Sequence, residues 1–190
     1  MKLGFPGRFR PPTYTHIHLI QRLSRAYDVV VMLDDVNISR YNPFSTREVH
    51  RMLEREAEVE IVEIPLKNPR EIISSLTDLI RENENFKIFT RDEATARFYR
   101  LLGFETLIAK REGVSACSVR ETLYFSCDDP QRFRRCVESL IDHRYITEGV
   151  GEEIAREEIR ERLLRLRGKL RLPNVQALTG IFEGILTHEN

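Results

Sequence analysis

Residues 27–33 read YDVVVML, a run dominated by β-branched and other apolar side chains in which Asp28 is the only charged residue. Such a run is typical of a strand buried on both faces, as in a parallel sheet. Shorter apolar runs at 59–64, 86–90 and 105–109 predict further strands, and residues 2–9 begin with another. The sequence therefore predicts a sheet that contains the run at 27–33 as a buried parallel strand.

Segments with helical spacing of apolar residues separate these strands. They cover residues 15–26, 46–56, 69–81, 92–102 and 132–143. Strand and helix in alternation predict right-handed crossovers and a doubly wound, Rossmann-like α/β fold, which is a parallel sheet with helices on both faces. Ligands of such sheets bind beyond the carboxyl ends of the strands. The loop after the first strand is therefore a candidate ligand site.

Three residues are predicted to set helix boundaries. Ser45 is expected to cap the second helix, and Pro69 lies at the start of the third, where its missing N–H costs nothing. Gly103 is expected to end the fourth helix in a left-handed conformation.

The composition limits the classes of function. The chain has 190 residues, 41% hydrophobic and 32% charged, with 30 Lys and Arg against 30 Asp and Glu. This suits one globular domain with a small appendage and excludes a disordered chain. The balanced charge argues against nucleic acid or acidic membranes as partners, and favours small molecules. No apolar stretch approaches a membrane span and the N-terminus does not resemble a signal peptide, so we expect a cytoplasmic protein.

The pattern of charged and apolar residues changes after residue 148. We predict a domain over residues 1–148 and a helical C-terminal extension over residues 149–190. Residues 152–167 are expected to form one charged helix, supported by pairs such as Glu152/Arg156 and Glu158/Arg162. A second helix is predicted over 175–186. The extension is expected to pack on the core or on a second subunit, so a homo-oligomer is possible.

Cysteine spacing predicts neither a disulfide framework nor a metal site. Cys117, Cys127 and Cys136 form no CxxC pair, so reduced thiols are the simplest interpretation. The lack of Trp and the dense Glu and Arg content are also compatible with a heat-adapted, thermophile protein.

The first chemical motif is the loop GRFRPPTYTH at residues 7–16. It leads from a strand into a helix N-terminus, where backbone N–H groups and the helix dipole favour an anion. Thr13 and His16 lie three residues apart and can face one phosphate, with Arg8 and Arg10 adding positive charge. A turn followed by an ordinary capped helix explains the same residues about equally well.

The second motif is VSACSVR at residues 114–120. Hydroxyls at Ser115 and Ser118, with Arg120 one turn later, could hold a phosphate at another helix start. Taken alone, such a segment is more often a helix cap with a solvated arginine.

Taken together, the two motifs resemble those of the nucleotidyltransferase superfamily. Thr13 and His16 match its (His/Thr)-x-Gly-His loop, and residues 114–120 match its Ile-Ser-x-Thr-x-x-Arg segment, with Cys117 in place of the Thr. Residues 7–11 and 42–48 also resemble the GRFxP and NPFT-x-x-E segments of archaeal nicotinamide-mononucleotide (NMN) adenylyltransferases. The similarity extends in order over about residues 1–145.

This resemblance implies transfer of AMP from ATP to a phosphorylated acceptor such as NMN, with pyrophosphate leaving together with Mg²⁺. His16, Thr13 and Arg120 would be the catalytic residues and would hold the phosphates. The residues implied to bind the nucleotide are Gly7, Arg8, Phe9, Ser115, Cys117 and Ser118. Those implied to bind the acceptor are Asn42, Pro43, Phe44 and Glu48. A metal site made by the protein itself is not expected.

Several positions depart from the family pattern. Thr15 stands where the motif has Gly, and Val49 stands where an Arg is usual. These departures leave open a non-catalytic nucleotide-binding protein, a different acceptor or a CTP donor. A nucleic-acid-binding α/β protein has only the arginines in its favour. Asp34 and Asp35, at the end of the second strand, could hold a metal or a ribose, although a strand-end turn is the commoner explanation.

Overall fold

A computed structural model of the chain describes residues 1–65, 69–81, 85–110 and 112–167. The strands of the described part are β1 (Lys2–Gly7), β2 (Asp28–Asp35), β3 (Glu60–Pro65), β4 (Lys87–Thr90) and β5 (Glu105–Ile108). The helices are α1 (Tyr14–Leu23), α2 (Thr46–Glu54), α3 (Pro69–Arg81), α4 (Glu93–Leu101), α5 (Ala116–Ser126), α6 (Pro130–Asp142), α7 (Glu148–Ile154) and α8 (Glu157–Arg167). None of these helices is both long enough and apolar enough to cross a lipid bilayer.

The strands form one parallel sheet in the order β3-β2-β1-β4-β5. This order confirms the predicted doubly wound, Rossmann-like α/β fold. The run at 27–33 supplies most of β2, which lies between β1 and β3 and is buried from Val29 to Leu33. The chain reverses its winding direction at β1, so the loops after β1 and β4 diverge and leave a crevice between them.

Apolar side chains cover both faces of the sheet. On one face, Leu3, Phe5, Val31, Leu33 and Phe89 pack with residues from α1, α2 and α5 to α8. On the other face, Val30, Met32 and Ile88 pack with residues from α3 and α4. The alternation along β2 follows from the two-residue period of a strand, and it gives the sheet two separate cores.

The predicted helix boundaries are confirmed. Ser45 is the N-cap of α2, and its hydroxyl accepts a hydrogen bond from the backbone N–H of Glu48 at 3.3 Å. The Glu48 carboxylate accepts in return from the Ser45 N–H at 2.7 Å, which completes a capping box. Pro69 is the first residue of α3, and Gly103 follows α4 with a φ of +90°.

The single helix predicted over 152–167 is wrong, because the structure has two helices, α7 and α8, with a break between Ile154 and Glu157. The apolar positions explain the break. Val150 and Ile154 are spaced by four residues, as are Ile159 and Leu163, but five residues separate the two pairs. In a continuous helix, which turns about 100° per residue, the second pair would lie about 180° away from the first. The break lets both pairs reach the same core.

Two carboxylate and arginine side chains that were predicted to pair along this helix instead pair with residues of α2 or the residue after it. Glu152 pairs with Arg55, and the fully buried carboxylate of Glu153 accepts hydrogen bonds from Arg51 and Arg156. Arg162 pairs with Glu48 of α2 rather than with Glu158. The helix predicted over 175–186 lies outside the described residues.

Candidate functional site

A cleft of about 420 Å³ opens at the carboxyl ends of β1, β2 and β4. Seven of the residues predicted to be catalytic, nucleotide-binding or acceptor-binding line it: Gly7, Arg8, Phe9, His16, Asn42, Cys117 and Arg120. Its other lining residues are Phe5, Pro6, Arg10, Asp34, Thr90, Arg91, Asp92, Thr95 and Ala116. The two motifs, separated by about a hundred residues in the chain, therefore meet in one cleft.

The loop after β1 curls back over the sheet at Phe9. Phe9 has a φ of +47°, in the left-handed region that bulky residues rarely adopt. Its ring is buried and makes edge contacts with Phe5 at 5.3 Å and with His16 at 5.2 Å between ring centroids. A Cβ on Gly7 would lie 2.9 Å from this ring, which explains glycine at that position. Phe9 thus forms the floor under His16.

His16 is held by Thr13, the N-cap of α1. The Thr13 backbone N–H donates to His16 Nδ1 at 3.1 Å, and the Thr13 hydroxyl lies 2.9 Å from the same nitrogen. Because an amide N–H can only donate, Nδ1 accepts, and the proton of the neutral imidazole lies on Nε2. The sequence placed Thr13 and His16 side by side. The structure adds that Thr13 is itself buried and orients the ring.

Three backbone amides at the start of α1 already have acceptors. Tyr14 N–H donates to Tyr145 O at 2.9 Å, His16 N–H donates to Thr13 O at 2.9 Å, and Thr13 N–H donates to the imidazole. The amides of Thr13, Tyr14 and His16 are therefore not available to an anion. The contribution of α1 to the cleft is the His16 side chain.

The start of α5 supplies amides instead. Ser115 is the N-cap, and its hydroxyl accepts from the Ser118 N–H at 3.1 Å and lies 3.0 Å from the Ser118 hydroxyl. Among the described residues, nothing accepts from the N–H groups of Ala116 and Cys117, and both residues line the cleft. Ser115 and Ser118 do not line it. Their hydroxyls order the helix start, so that two free amides and the helix dipole favour an anion.

Two arginines bring positive charge to this anion-binding end. Arg120 donates from Nη1 to the backbone carbonyl of Arg10 at 2.7 Å, and burial lowers the pKa of its guanidinium. Arg8 is exposed at the mouth of the cleft, and no described residue forms a hydrogen bond or an ion pair with it. The remaining donors of both side chains are available to an anionic ligand.

Three of the four predicted acceptor-binding residues do not line the cleft. Pro43 and Phe44 are buried, and Glu48 is 5% exposed. The Glu48 carboxylate accepts from both terminal nitrogens of Arg162, at 2.6 and 2.8 Å, and Arg162 also donates to Pro43 O at 3.1 Å. These contacts fasten this segment to α8. Of the four, Asn42 lines the cleft.

Arg10 is a site residue whose place the sequence analysis did not foresee. Its guanidinium is buried and donates to Phe44 O, to Asp34 O at 2.8 Å and to the Thr46 hydroxyl at 2.9 Å. It therefore turns away from the phosphate position expected for it and joins the loop after β1 to the segment between β2 and α2. Its acceptors lie 24 to 36 residues away in the chain, so no local sequence pattern predicts these hydrogen bonds.

Asp34 brings a carboxylate to the cleft. It follows the buried part of β2 and is half-buried at the cleft wall. Burial raises the pKa of Asp34, and the positive charges of Arg8 and Arg10 oppose that effect only in part. From the sequence, a metal or ribose ligand was one interpretation of Asp34, and a strand-end turn was the commoner one.

Thr15, which replaces the motif glycine, faces away from the cleft lining. Gly113, at a φ of +79°, lies so close that a Cβ built on it would be 2.2 Å from Thr15 Oγ1. The absence of a side chain at Gly113 thus makes room for the Thr15 side chain.

No group of three or more His, Cys, Asp or Glu side chains in the described part of the chain is arranged to hold a metal ion. Asp34 and Asp92 both line the cleft, but the Asp92 carboxylate caps α4 by accepting from the Thr95 N–H at 2.7 Å. A magnesium ion in this cleft would therefore be held chiefly by substrate phosphates and water, as is usual for Mg²⁺ with nucleotides.

The chain is similar to a phosphopantetheine adenylyltransferase of Dictyoglomus thermophilum, with 35% identity over 91 residues. The match covers 48% of this chain and 52% of that protein, so the chain spans about half the length of the curated relative. No protein-family model matches the chain. By its name, the relative transfers an adenylyl group to phosphopantetheine, an acceptor different from the NMN expected from the sequence motifs.

The Glu48–Arg162 pair predicts an acid-dependent loss of stability. Burial would raise the pKa of Glu48, but hydrogen bonds from Arg162 and Ser45 outweigh it, so the pKa lies below its usual 4.5. A depressed folded-state pKa stabilises the protein above 4.5 and loses this effect as the pH falls through the folded value. Glu48→Gln should therefore lower the free energy of unfolding by about 3 kcal/mol at neutral pH, and the gap to the wild type should close in acid.

Urea denaturation at several pH values measures this effect. Glu152→Gln is the matched control, because its pair with Arg55 is exposed and should contribute little at any pH. Equal losses for both variants at neutral pH would show that the Glu48 pair does not hold the segment to α8.

The contact between Thr15 and Gly113 predicts coupled substitutions. Gly113→Ala should destabilise the protein by about 2 kcal/mol, because the new methyl group meets Thr15 in a backbone conformation that disfavours alanine. Thr15→Gly alone should cost about 0.3 kcal/mol of helix propensity, because threonine and glycine are both poor helix formers. The double variant should lose about 1 kcal/mol less than the sum, as measured by urea denaturation. Strictly additive losses would contradict the contact.

Proposed function

We propose that the chain is a nucleotidyltransferase that transfers AMP from ATP to a phosphorylated small-molecule acceptor and releases pyrophosphate. The observation that carries this proposal is the convergence of His16, Arg120 and the free amides of Ala116 and Cys117 on one cleft at the sheet's switch point. The similarity to an adenylyltransferase over about half the chain supports the same chemistry. The cleft volume falls in the range of roughly 300–1,000 Å³ usual for small-molecule sites.

The triphosphate is assigned to the side of the cleft formed by α1 and α5. Arg120 and the amides of Ala116 and Cys117 would hold the β- and γ-phosphates. His16, donating from Nε2, would contact the α-phosphate, with Thr13 fixing the ring. Arg8 stands at the mouth and can neutralise either substrate. Gly7 and Phe9 would bind the nucleotide indirectly, by shaping the floor of the cleft.

Catalysis would then rest on positioning and charge stabilisation. An oxygen of the acceptor phosphate attacks the α-phosphorus of ATP, a new P–O bond forms, and the bond to pyrophosphate breaks. Donors fixed before the reaction stabilise the negative charge that grows on the phosphates, at no cost in reorganisation. The Mg²⁺ that enters with ATP neutralises charge on the leaving pyrophosphate. Because His16 accepts at Nδ1 and donates at Nε2, it works as a neutral hydrogen-bond donor and not as a base.

The acceptor is assigned to the side formed by β2 and the segment after it, where Asn42 lines the cleft. Two acceptors have specific support. NMN follows from the resemblance of residues 7–11 and 42–48 to archaeal NMN adenylyltransferases, and would make the chain an enzyme of NAD biosynthesis. Phosphopantetheine follows from the name of the relative. The free thiols Cys117, Cys127 and Cys136 fit a cytoplasmic enzyme.

A non-catalytic nucleotide-binding protein is the alternative function. Thr15, which stands where the motif has Gly, is one of the departures that favour it. Since the Thr15 side chain packs against Gly113 and does not line the cleft, this substitution leaves the phosphate position open.

Pyrophosphate release tests the proposal. The protein is incubated with ATP and Mg²⁺ together with NMN or with 4′-phosphopantetheine, and CTP replaces ATP in a parallel reaction. We expect pyrophosphate and an adenylylated product with one of the two acceptors. His16→Ala and Arg120→Ala should each lower the rate at least roughly 100-fold, because each removes a donor to the reacting phosphates.

The controls are His18→Ala, on the exposed side of α1, and Arg97→Ala, exposed on α4. Both should retain activity to within about twofold. Stabilisation by ATP without pyrophosphate from either acceptor would instead support the non-catalytic function. Full activity in both His16→Ala and Arg120→Ala would exclude the assigned site.

A further inference from the structure

The charges in the cleft are divided between the two sides of the sheet. Val31 and Leu33 pack with α1 and α5, whereas Val30 and Met32 pack with α3 and α4. Because side chains alternate along a strand, Asp34 continues the row of Val30 and Met32. Burial raises the pKa of Tyr99 on α4, and the negative charge of Asp34 raises it further, so Asp34 lies near that helix. The carboxylate therefore lies across the sheet edge from His16 and Arg120.

The Asp34 carboxylate receives no hydrogen bond from the described residues. Arg10 is near enough to influence its charge, but the Arg10 guanidinium donates to the Asp34 backbone carbonyl instead, at 2.8 Å. The neighbouring Asp35, in contrast, accepts from the Thr46 hydroxyl at 3.1 Å. A half-buried carboxylate without a donor costs free energy, and a ligand that brings a donor recovers it.

We propose that Asp34 selects the acceptor: its carboxylate accepts a hydrogen bond from an N–H group at the end of the acceptor remote from the phosphate. This inference rests on the proposed function, because that function assigns the β2 side of the cleft to the acceptor. Asn42, on the same segment of the chain, lines the cleft beside it. An anionic group at that end of the acceptor would be repelled.

Both candidate acceptors have the required chemistry. The carboxamide of NMN and the amide groups of 4′-phosphopantetheine each present N–H donors away from a terminal phosphate. The division of charge also gives the acceptor one orientation. Its phosphate turns toward Arg8 and His16, where transfer occurs, and its amide end turns toward Asp34.

Isothermal titration calorimetry with Asp34→Asn tests this role. The substitution keeps the size of the side chain and removes its charge, so the protein should remain folded, which thermal unfolding verifies. The Kd of the bound acceptor, NMN or 4′-phosphopantetheine, should rise roughly tenfold or more. The Kd of ATP, measured on the same samples, should change by less than about twofold. Asp34→Ala should weaken acceptor binding at least as much.

Asp35→Asn, whose oxygen can still accept from Thr46, is the control and should bind both ligands as the wild type does.

The outcomes separate this inference from the proposed function. An unchanged acceptor Kd in Asp34→Asn would overturn the inference, and so would a weakened ATP Kd, which would place a nucleotide ribose at Asp34. Failure of the wild type to bind either acceptor would overturn the acceptor class named here. If Asp34 governs acceptor binding but the wild type releases no pyrophosphate, the inference stands and AMP transfer is wrong.

Discussion

The cleft depends on one buried cation, the guanidinium of Arg10. Its donors hold the Asp34 carbonyl at the end of β2, the Phe44 carbonyl and the Thr46 hydroxyl at the start of α2. The carbonyl of the same residue accepts from Arg120 of α5. A single residue thus fixes three walls of the cleft relative to one another. Burial lowers the pKa of Arg10, and the hydrogen bonds offset that cost of desolvation.

This arrangement connects the fold to its chemistry. The order of the strands creates a crevice at β1. The loop turns at Phe9, which has a positive φ, and His16 after that turn lines the crevice. A second clamp lies farther out, where Arg162 of α8 holds Glu48 and the Pro43 carbonyl. Through that clamp the last described helix supports the segment that carries Asn42, although no residue of α8 lines the cleft. We infer that the role of α8 is to hold this wall in place.

The features set by local pattern could be predicted from the sequence. The run at 27–33 became β2, Pro69 begins α3, and Ser45 caps α2, because each depends on neighbours within a few residues. His16 and Arg120 could be matched to motifs for the same reason. The break between α7 and α8 could not, because it depends on how two apolar pairs reach one core.

Long-range contacts account for the other differences. Glu48 resembled a ligand-binding residue, yet its partner Arg162 lies 114 residues farther along the chain. The Tyr14 amide at the start of α1 is not available to an anion, because it donates to the carbonyl of Tyr145, far away in sequence. Asp34 resembled a turn residue in the sequence. Only the folded cleft reveals that none of the described residues donates a hydrogen bond to its carboxylate.

The most direct measurement follows isotopic label from ATP into products. The protein is incubated with Mg²⁺, the acceptor that it binds, and ATP labelled with ³²P at either the α- or the γ-phosphate. Transfer of AMP requires the α-label to appear in the acceptor product and the γ-label in pyrophosphate. Label from the γ-phosphate on the acceptor, or its release as inorganic phosphate, would contradict the account, because the cleft would then direct attack at a different phosphorus.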